Sequence, residues 1–273
     1  MELRQLQLKE LEILKTSLEI INRHHLRYFI LGGTFLGAVR HKGFIPWDDD
    51  MDIAMPRNDY ELFLKYAAEE LESPYSLVTW QNTEAHNDFC ARVVNANIVL
   101  VRNDARVEKK ECLWVDFFPF DGMPSNAFFR GLHKIRLLWL RLLLQYSKYD
   151  TGINMRRKRP LFETVLIKIG FVISRIFPFN VKKRLLAVDK ALRKYDYENS
   201  DYIINFMAAS GFKELFPKEW FMNVSDYDFE DLKLKGSAQY DKILTQMYGD
   251  YMTPPAADGR ISHSIVTEVS NNG

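Results

Sequence analysis

Only two cysteines, Cys90 and Cys112, occur in the 273 residues. They are too few for a disulfide framework and lack metal-ligand spacing, so both are expected as reduced packing residues. No stretch of about 18 residues is free of charge, so no membrane-spanning helix is expected. The first ten residues, MELRQLQLKE, read as too polar for a secretory signal, and with the two reduced cysteines a cytoplasmic setting is expected. Internal repeats and low-complexity tracts are also missing.

Net charge is nearly absent as well, at +1, but it is unevenly spread. Between Arg130 and Lys194 there are 17 Lys and Arg against three acids (Asp150, Glu163, Asp189), which leaves 20 basic and 33 acidic residues elsewhere. A split of this size points the basic segment toward an anionic partner. In the expected helix that begins at Phe128, Arg130, Lys134, Arg141 and Lys148 fall within about 40° of one another. The remaining surface there is mostly Leu, Ile, Trp, Phe and Tyr. Such a helix suits the plane of a membrane interface, with its cations near headgroups. Arg156 to Arg159 and the apolar stretch 161–179 extend the pattern, so peripheral membrane contact is expected through 128–179. The alternative is internal packing, with the cations lining an acceptor groove. Nucleic acid is not an expected partner, because no base-reading module accompanies the charge.

Apolar periodicity places a helix over 3–26, with Leu11, Leu14, Leu18 and Ile21 on one stripe. A short buried strand is expected at 28–31 and is broken by Gly32, Gly33 and Thr34, with a short helix at 34–40. Residues 50–55 alternate polar and apolar, as a half-wet strand does. Pro56 ends that strand, and Asn58 or Asp59 caps a helix that buries Tyr60, Phe63, Leu64, Ala67 and Leu71. Strands at 76–80, 90–94, 98–101 and 112–118 follow, with a turn at 95–97. From 128 to about 197 the chain reads as helical, and the last 70 residues read as short helices and loops.

Two acids at i and i+2 on a strand point to the same side. Asp50 and Asp52 are therefore the expected ligands of a hard cation, while Met51 and Ile53 enter the core. Mg²⁺ suits carboxylate oxygens and keeps positions open for phosphate, and Mn²⁺ is a substitute. The run is not an EF-hand, since the sixth position from Asp48 is Ile53 and the twelfth is Asp59. Asp116 lies in an apolar strand where a lone charge is costly, and a shared metal would give it a partner. Glycines between a strand and a helix start let backbone N–H groups approach an anion. A phosphate cradle beside paired carboxylates is equipment for phosphoryl transfer.

The run 31–53, LGGTFLGAVRHKGFIPWDDDMDI, resembles the signature of the LicD family of phosphocholine transferases. The segment 114–121, WVDFFPFD, resembles the family's second block. Residues 248–252, YGDYM, with Pro254, Pro255 and His263, resemble its carboxy-terminal block. The resemblance implies an α+β nucleotidyltransferase-type fold, a small mixed sheet flanked by helices, here with an added basic, apolar helical region. The expected parts are a catalytic core at 1–125, a membrane-proximal helical region at 126–200 and a site-completing region at 201–273.

The activity implied is transfer of phosphocholine from CDP-choline to a sugar hydroxyl of a glycan or lipid-linked glycan, in teichoic acid or lipopolysaccharide, with release of CMP. Ribitol, glycerol or ethanolamine phosphate would need the same metal site. In that scheme Asp50, Asp52 and Asp116 are catalytic and hold the metal, Asp116 alternatively taking a proton. Gly32, Gly33, Thr34, Arg40 and Lys42 hold phosphates, and Trp47 can face a quaternary ammonium. The enzyme would work at the inner face of the cell membrane. A DxD glycosyltransferase and an inactive membrane-bound scaffold are the rival readings.

Overall fold

The computed structural model describes residues 2–102, 109–148, 180–256 and 266–270. Arg156 to Arg159, the stretch 161–179 and His263 lie outside the described residues. The expected helix at the start is α1 (Leu3–Arg23), and all four residues of its apolar stripe are buried. It is followed by β1 (Phe29–Ile30), α2 (Gly32–His41), β2 (Asp52–Pro56) and α3 (Arg57–Glu70). Next come β3 (Tyr75–Val78), β4 (Ala91–Arg102), β5 (Lys109–Met123) and α4 (Ala127–Ser147). The C-terminal part contains α5 (Val181–Leu192), β6 (Tyr202–Ile204), β7 (Leu215–Pro217), β8 (Val224–Phe229), β9 (Leu232–Ser237), α6 (Tyr240–Tyr248) and β10 (Val266–Ser270).

The main sheet runs β1-β2-β5-β4-β10, with β3 on β4 and β6 joining β5 to β7. The structure is therefore an α+β fold around a mixed sheet. β2 and β5 are parallel, and their register sets Asp52 opposite Asp116. Parallel neighbours require a long crossover, supplied here by α3, β3 and β4. Met51, Ile53, Ala54 and Met55 are fully buried, and β5 is an apolar run from Leu113 to Phe120 broken by Asp116. Such strands have both faces covered. Helices α1 and α3 pack together over the sheet.

Three sequence expectations change. The turn at 95–97 is a bulge within one long β4, since Asn95 pairs Leu113 and Val99 pairs Cys112. The last 70 residues contain strands, including the β8–β9 hairpin. On α4 the cation stripe faces protein. Arg130 donates to the carbonyls of Pro124 and Ser125, Arg141 to those of Phe206 and Ala208, and Lys148 pairs with Asp88. Lys134 lies over the Phe212 ring. Leu137 and Leu144 pack with Leu185, Val188 and Leu192 of α5 in a second core. The outward side of α4 is apolar instead: Phe128, Ile135 and Trp139 are 69%, 65% and 60% exposed.

Candidate active site

One cavity of about 640 Å³ opens at the start of β2. Its first wall is the beginning of α2, with Gly32, Gly33 and Leu36, and Arg40 at the far end of that helix. Asp48, Asp50, Asp52 and Asp116 form the floor, and Phe118 and Trp47 flank them. The opposite wall comes from Ala208 to Ser210, Glu214 and the end of α6 with the following loop, including Tyr248, Asp250 and Tyr251. Its size suits a small-molecule ligand.

α2 starts at Gly32, two residues earlier than the sequence indicates, because Gly32 adopts φ 58° and turns the chain directly into the helix. A Cβ on Gly32 would lie 2.7 Å from Asp52 Oδ2, and one on Gly33 would collide with Asp48 Oδ2. The glycines therefore let the helix start close onto two carboxylates. No side chain caps α2, so its first N–H groups remain donors for an anion. Thr34 does not line the cavity. Its hydroxyl accepts from Asp52 N at 2.9 Å and fixes the entry into β2.

The strand begins only at Asp52, so alternation does not govern 48–50, yet Asp48, Asp50 and Asp52 all line the cavity. Asp49 is the one of the run that turns inward, 3% exposed. Lys42 is not at the cavity; it caps α2 in the left-handed region, and its carbonyl accepts from Glu230 N in the β8–β9 turn. Arg40 lines the cavity with Nη1 on the Tyr251 carbonyl at 2.6 Å and its guanidinium 6.0 Å from the Trp47 ring.

The partner that Asp116 needs is supplied by the protein itself, whether or not a metal is shared. Arg92 Nε donates to Oδ1 at 2.9 Å, the Cys90 thiol to the same oxygen at 3.2 Å, and Trp114 Nε1 to Oδ2 at 3.0 Å. Arg92 faces it because Arg92 and Asp116 are register partners on β4 and β5. That pairing joins residues 24 apart, which is why the sequence did not reveal it.

The other acids are poorly compensated. Asp52 is held well above the usual carboxylate range by burial and then by the charges of Asp50, Asp116, Glu214 and Asp48. Burial and Asp49 push Asp48 up to about 6. Glu10 of α1, also buried, is raised by burial and then by Asp50, Asp49, Asp48 and Asp116. Gathered acids of this kind are what a bound cation reverses. The donor set, carboxylate oxygens only, fits a hard divalent ion. Among the described residues no three ligand side chains are close enough to enclose one alone. That suits Mg²⁺, which takes one or two carboxylates and completes its shell from water and phosphate.

Two residues of the second wall were not among the expected site residues, although Tyr248 opens the YGDYM block. Glu214 is 3% exposed, and burial raises its carboxyl to about 8. Tyr248 is raised by burial and by the nearby acids, so its phenol stays protonated.

The LicD/FKTN/FKRP nucleotidyltransferase-domain model matches residues 25–134, which hold every acid of the cavity floor. The lipopolysaccharide cholinephosphotransferase LicD of Haemophilus influenzae is 29% identical over 266 residues, 96% of each chain. An uncharacterised protein of Rickettsia prowazekii is 27% identical over 157 residues, covering 57% of this chain and 56% of its own. The cavity acids lie inside that matched domain and the alignment with the Haemophilus protein runs nearly end to end, so residues 25–134 are similar to a LicD-type nucleotidyltransferase domain in a chain that resembles a cholinephosphotransferase throughout.

Proposed function

We propose that the protein transfers phosphocholine from CDP-choline to a sugar hydroxyl of a cell-surface glycan, releasing CMP. One observation carries this reading: Asp48, Asp50 and Asp52 meet Asp116 at the uncapped start of α2, so anion donors and cation ligands share one cavity. The Haemophilus relative acts on lipopolysaccharide; a lipopolysaccharide or teichoic acid precursor is the acceptor proposed here. Asp50 and Asp52 would hold Mg²⁺, with Asp116 fixed beside them by Arg92. The bound ion would supply neutralisation of the donor's phosphate charge. Gly32 and Gly33 N–H groups bind phosphate oxygens, and Arg40, anchored on Tyr251, orients the donor. Trp47 and Tyr248 offer ring faces to the quaternary ammonium.

Among the described residues no helix is long and apolar enough to cross a membrane. The outward apolar side of α4 supports a peripheral contact in which the rings, rather than the cations, meet the bilayer. Such a contact brings the cavity to a lipid-linked acceptor.

The test uses purified protein, Mg²⁺, CDP-choline and vesicles carrying the glycan acceptor, with CMP release measured and bound protein sedimented with the vesicles. Asp52→Ala should lower CMP release at least about tenfold, as loss of a catalytic metal ligand costs several kcal/mol. A smaller loss would refute the metal role. UDP-sugar turnover in place of CMP release would support a glycosyltransferase instead.

A further inference from the structure

Phosphoryl transfer to a hydroxyl needs a group that takes the hydroxyl proton, and the acids of the floor are poorly placed for it. Asp116 accepts from Arg92, Cys90 and Trp114, so both of its oxygens are already engaged. Asp50 and Asp52 are assigned to the cation, and Asp48 lies against Gly33 at the helix start, on the donor's phosphate side of the cavity. Among the described residues no histidine lines the cavity.

Glu214 differs from all of these. It sits at the end of a short 3₁₀ turn (Gly211–Glu214) before β7, on the wall opposite α2. Its Oε2 accepts from Asn205 Nδ2 at 2.8 Å, and the Ser210 hydroxyl also bonds to it. These two neutral donors fix the carboxyl group without neutralising it. The nearest opposing charge is Arg141 on α4, whose guanidinium is turned to the carbonyls of Phe206 and Ala208. The other charged or titratable groups that sense it are Asp52 on β2 and Tyr248 on α6, both raised by its negative charge. The result is a fixed, buried carboxyl that faces the donor site from the wall opposite α2.

We propose that Glu214 is the general base for the acceptor hydroxyl, a role that rests on the transferase reading above. The acceptor O–H bond breaks and its proton passes to a Glu214 oxygen. The acceptor oxygen bonds to the phosphorus that bears the alcohol, and the P–O bond to the nucleotide breaks with its electron pair leaving on CMP. A base works best when its value lies near the working pH, and burial brings Glu214 to about 8. The carboxylate must be ionised to accept a proton, so turnover rises with pH and levels off above that value.

The experiment is steady-state CMP release from CDP-choline by the full chain with Mg²⁺ and glycan acceptor, across about pH 6 to 9.5. Wild-type kcat should rise with pH through a single apparent pKa above the ordinary carboxylate range. Glu214→Gln should lower the plateau by about 100-fold, within the usual range for a lost general base. It should also abolish the pH limb and leave the donor KM within about threefold. Ser210→Ala removes a donor that favours the ionised form, so it should move the limb to higher pH while preserving it. A structural role for Glu214 would not move that limb. Glu214→Gln with an intact limb, or with kcat within about threefold of wild type, overturns the proposal. So does a limb that Ser210→Ala leaves in place. If wild type releases no CMP from any CDP-alcohol, the transferase reading fails, and this inference with it; turnover retained by Glu214→Gln defeats this inference alone.

Discussion

The two ends of the paired strands β2 and β5 hold the same residue types in opposite electrostatic settings. At the cavity end Asp52 stands opposite Asp116, acid against acid, beside Asp48 and Asp50. Four residues on, Pro56 pairs Phe120, and Arg57 clamps the next acid, Asp121, through Nε at 2.7 Å and Nη2 at 2.6 Å. Arg57 also reaches Asp189 of α5 and Glu61 of its own helix. Asp121 is 2% exposed and still raised by burial, but Arg57 opposes that shift. A buried acid with a bidentate cation is structural, whereas buried acids that mainly face one another need an outside charge. Both aspartates of WVDFFPFD meet an arginine, Asp116 through Arg92 Nε and Asp121 through the fork of Arg57, but only Asp116 also faces other acids across the cavity floor.

The strongest way to break this contrast is at the far end. Arg57→Ala would leave Asp121 buried without its bidentate partner, while Asp189 keeps Arg193 at 2.6 Å, a change worth about 3–5 kcal/mol of stability. Chemical denaturation should show that loss, while CMP release per folded molecule stays within about threefold. A turnover loss beyond tenfold in a sample that remains folded would mean that the two ends are not separate.

A smaller effect is expected at the cavity end, and with the opposite dependence on added ion. Wild-type protein should gain about 2.7 kcal/mol of stability at a hundredfold excess of Mg²⁺ over its Kd, as any ligand of the native state alone does. Asp52→Asn should show almost none of this gain in a thermal-shift titration. Without the ion, the variant should be at least as stable as wild type, because it removes one member of a crowded set of acids. An equal Mg²⁺ response in both proteins would remove Asp52 from the ion site.

How far the sequence reached follows from the same contrast. The periodic stripe of α1, the cap-and-face pattern of α3 and the apolar run of β5 are local signals, and each yielded its element. Asp50 and Asp52 were singled out by i, i+2 alternation and Asp116 by the cost of a lone acid in an apolar strand; all three line the cavity, and so does Asp48, which alternation passed over. Arg92 and Arg57 were not, since each meets its acid through strand register or a helix turn that local sequence does not specify. Glu214 lies among polar and aromatic residues on a four-residue turn, and nothing marks it until β6 and β7 carry it to the cavity. On α4 the periodicity was read correctly but its orientation was reversed. Long cationic side chains can bury their stems and spend their charge on backbone carbonyls, as Arg130 and Arg141 do here.

The smallest expected effect concerns the glycine that makes the cavity end possible. Gly32 at φ 58° lies in the left-handed region, where an L side chain costs roughly 1–2 kcal/mol. Its missing Cβ would also sit 2.7 Å from Asp52 Oδ2, tighter than a carbon–oxygen contact allows. Gly32→Ala must therefore relax by moving either the start of α2 or the Asp52 carboxylate, and Thr34 resists the second by holding Asp52 N. The expected loss of stability is about 1–2 kcal/mol, well below that of Arg57→Ala. Turnover should fall by at least tenfold, since phosphate donors and cation ligands shift relative to each other. Far-end variants should show stability loss without that disproportion. If Gly32→Ala loses stability but keeps its turnover, the helix start is not part of the donor site, and the acids of the floor would have to bind the nucleotide without it.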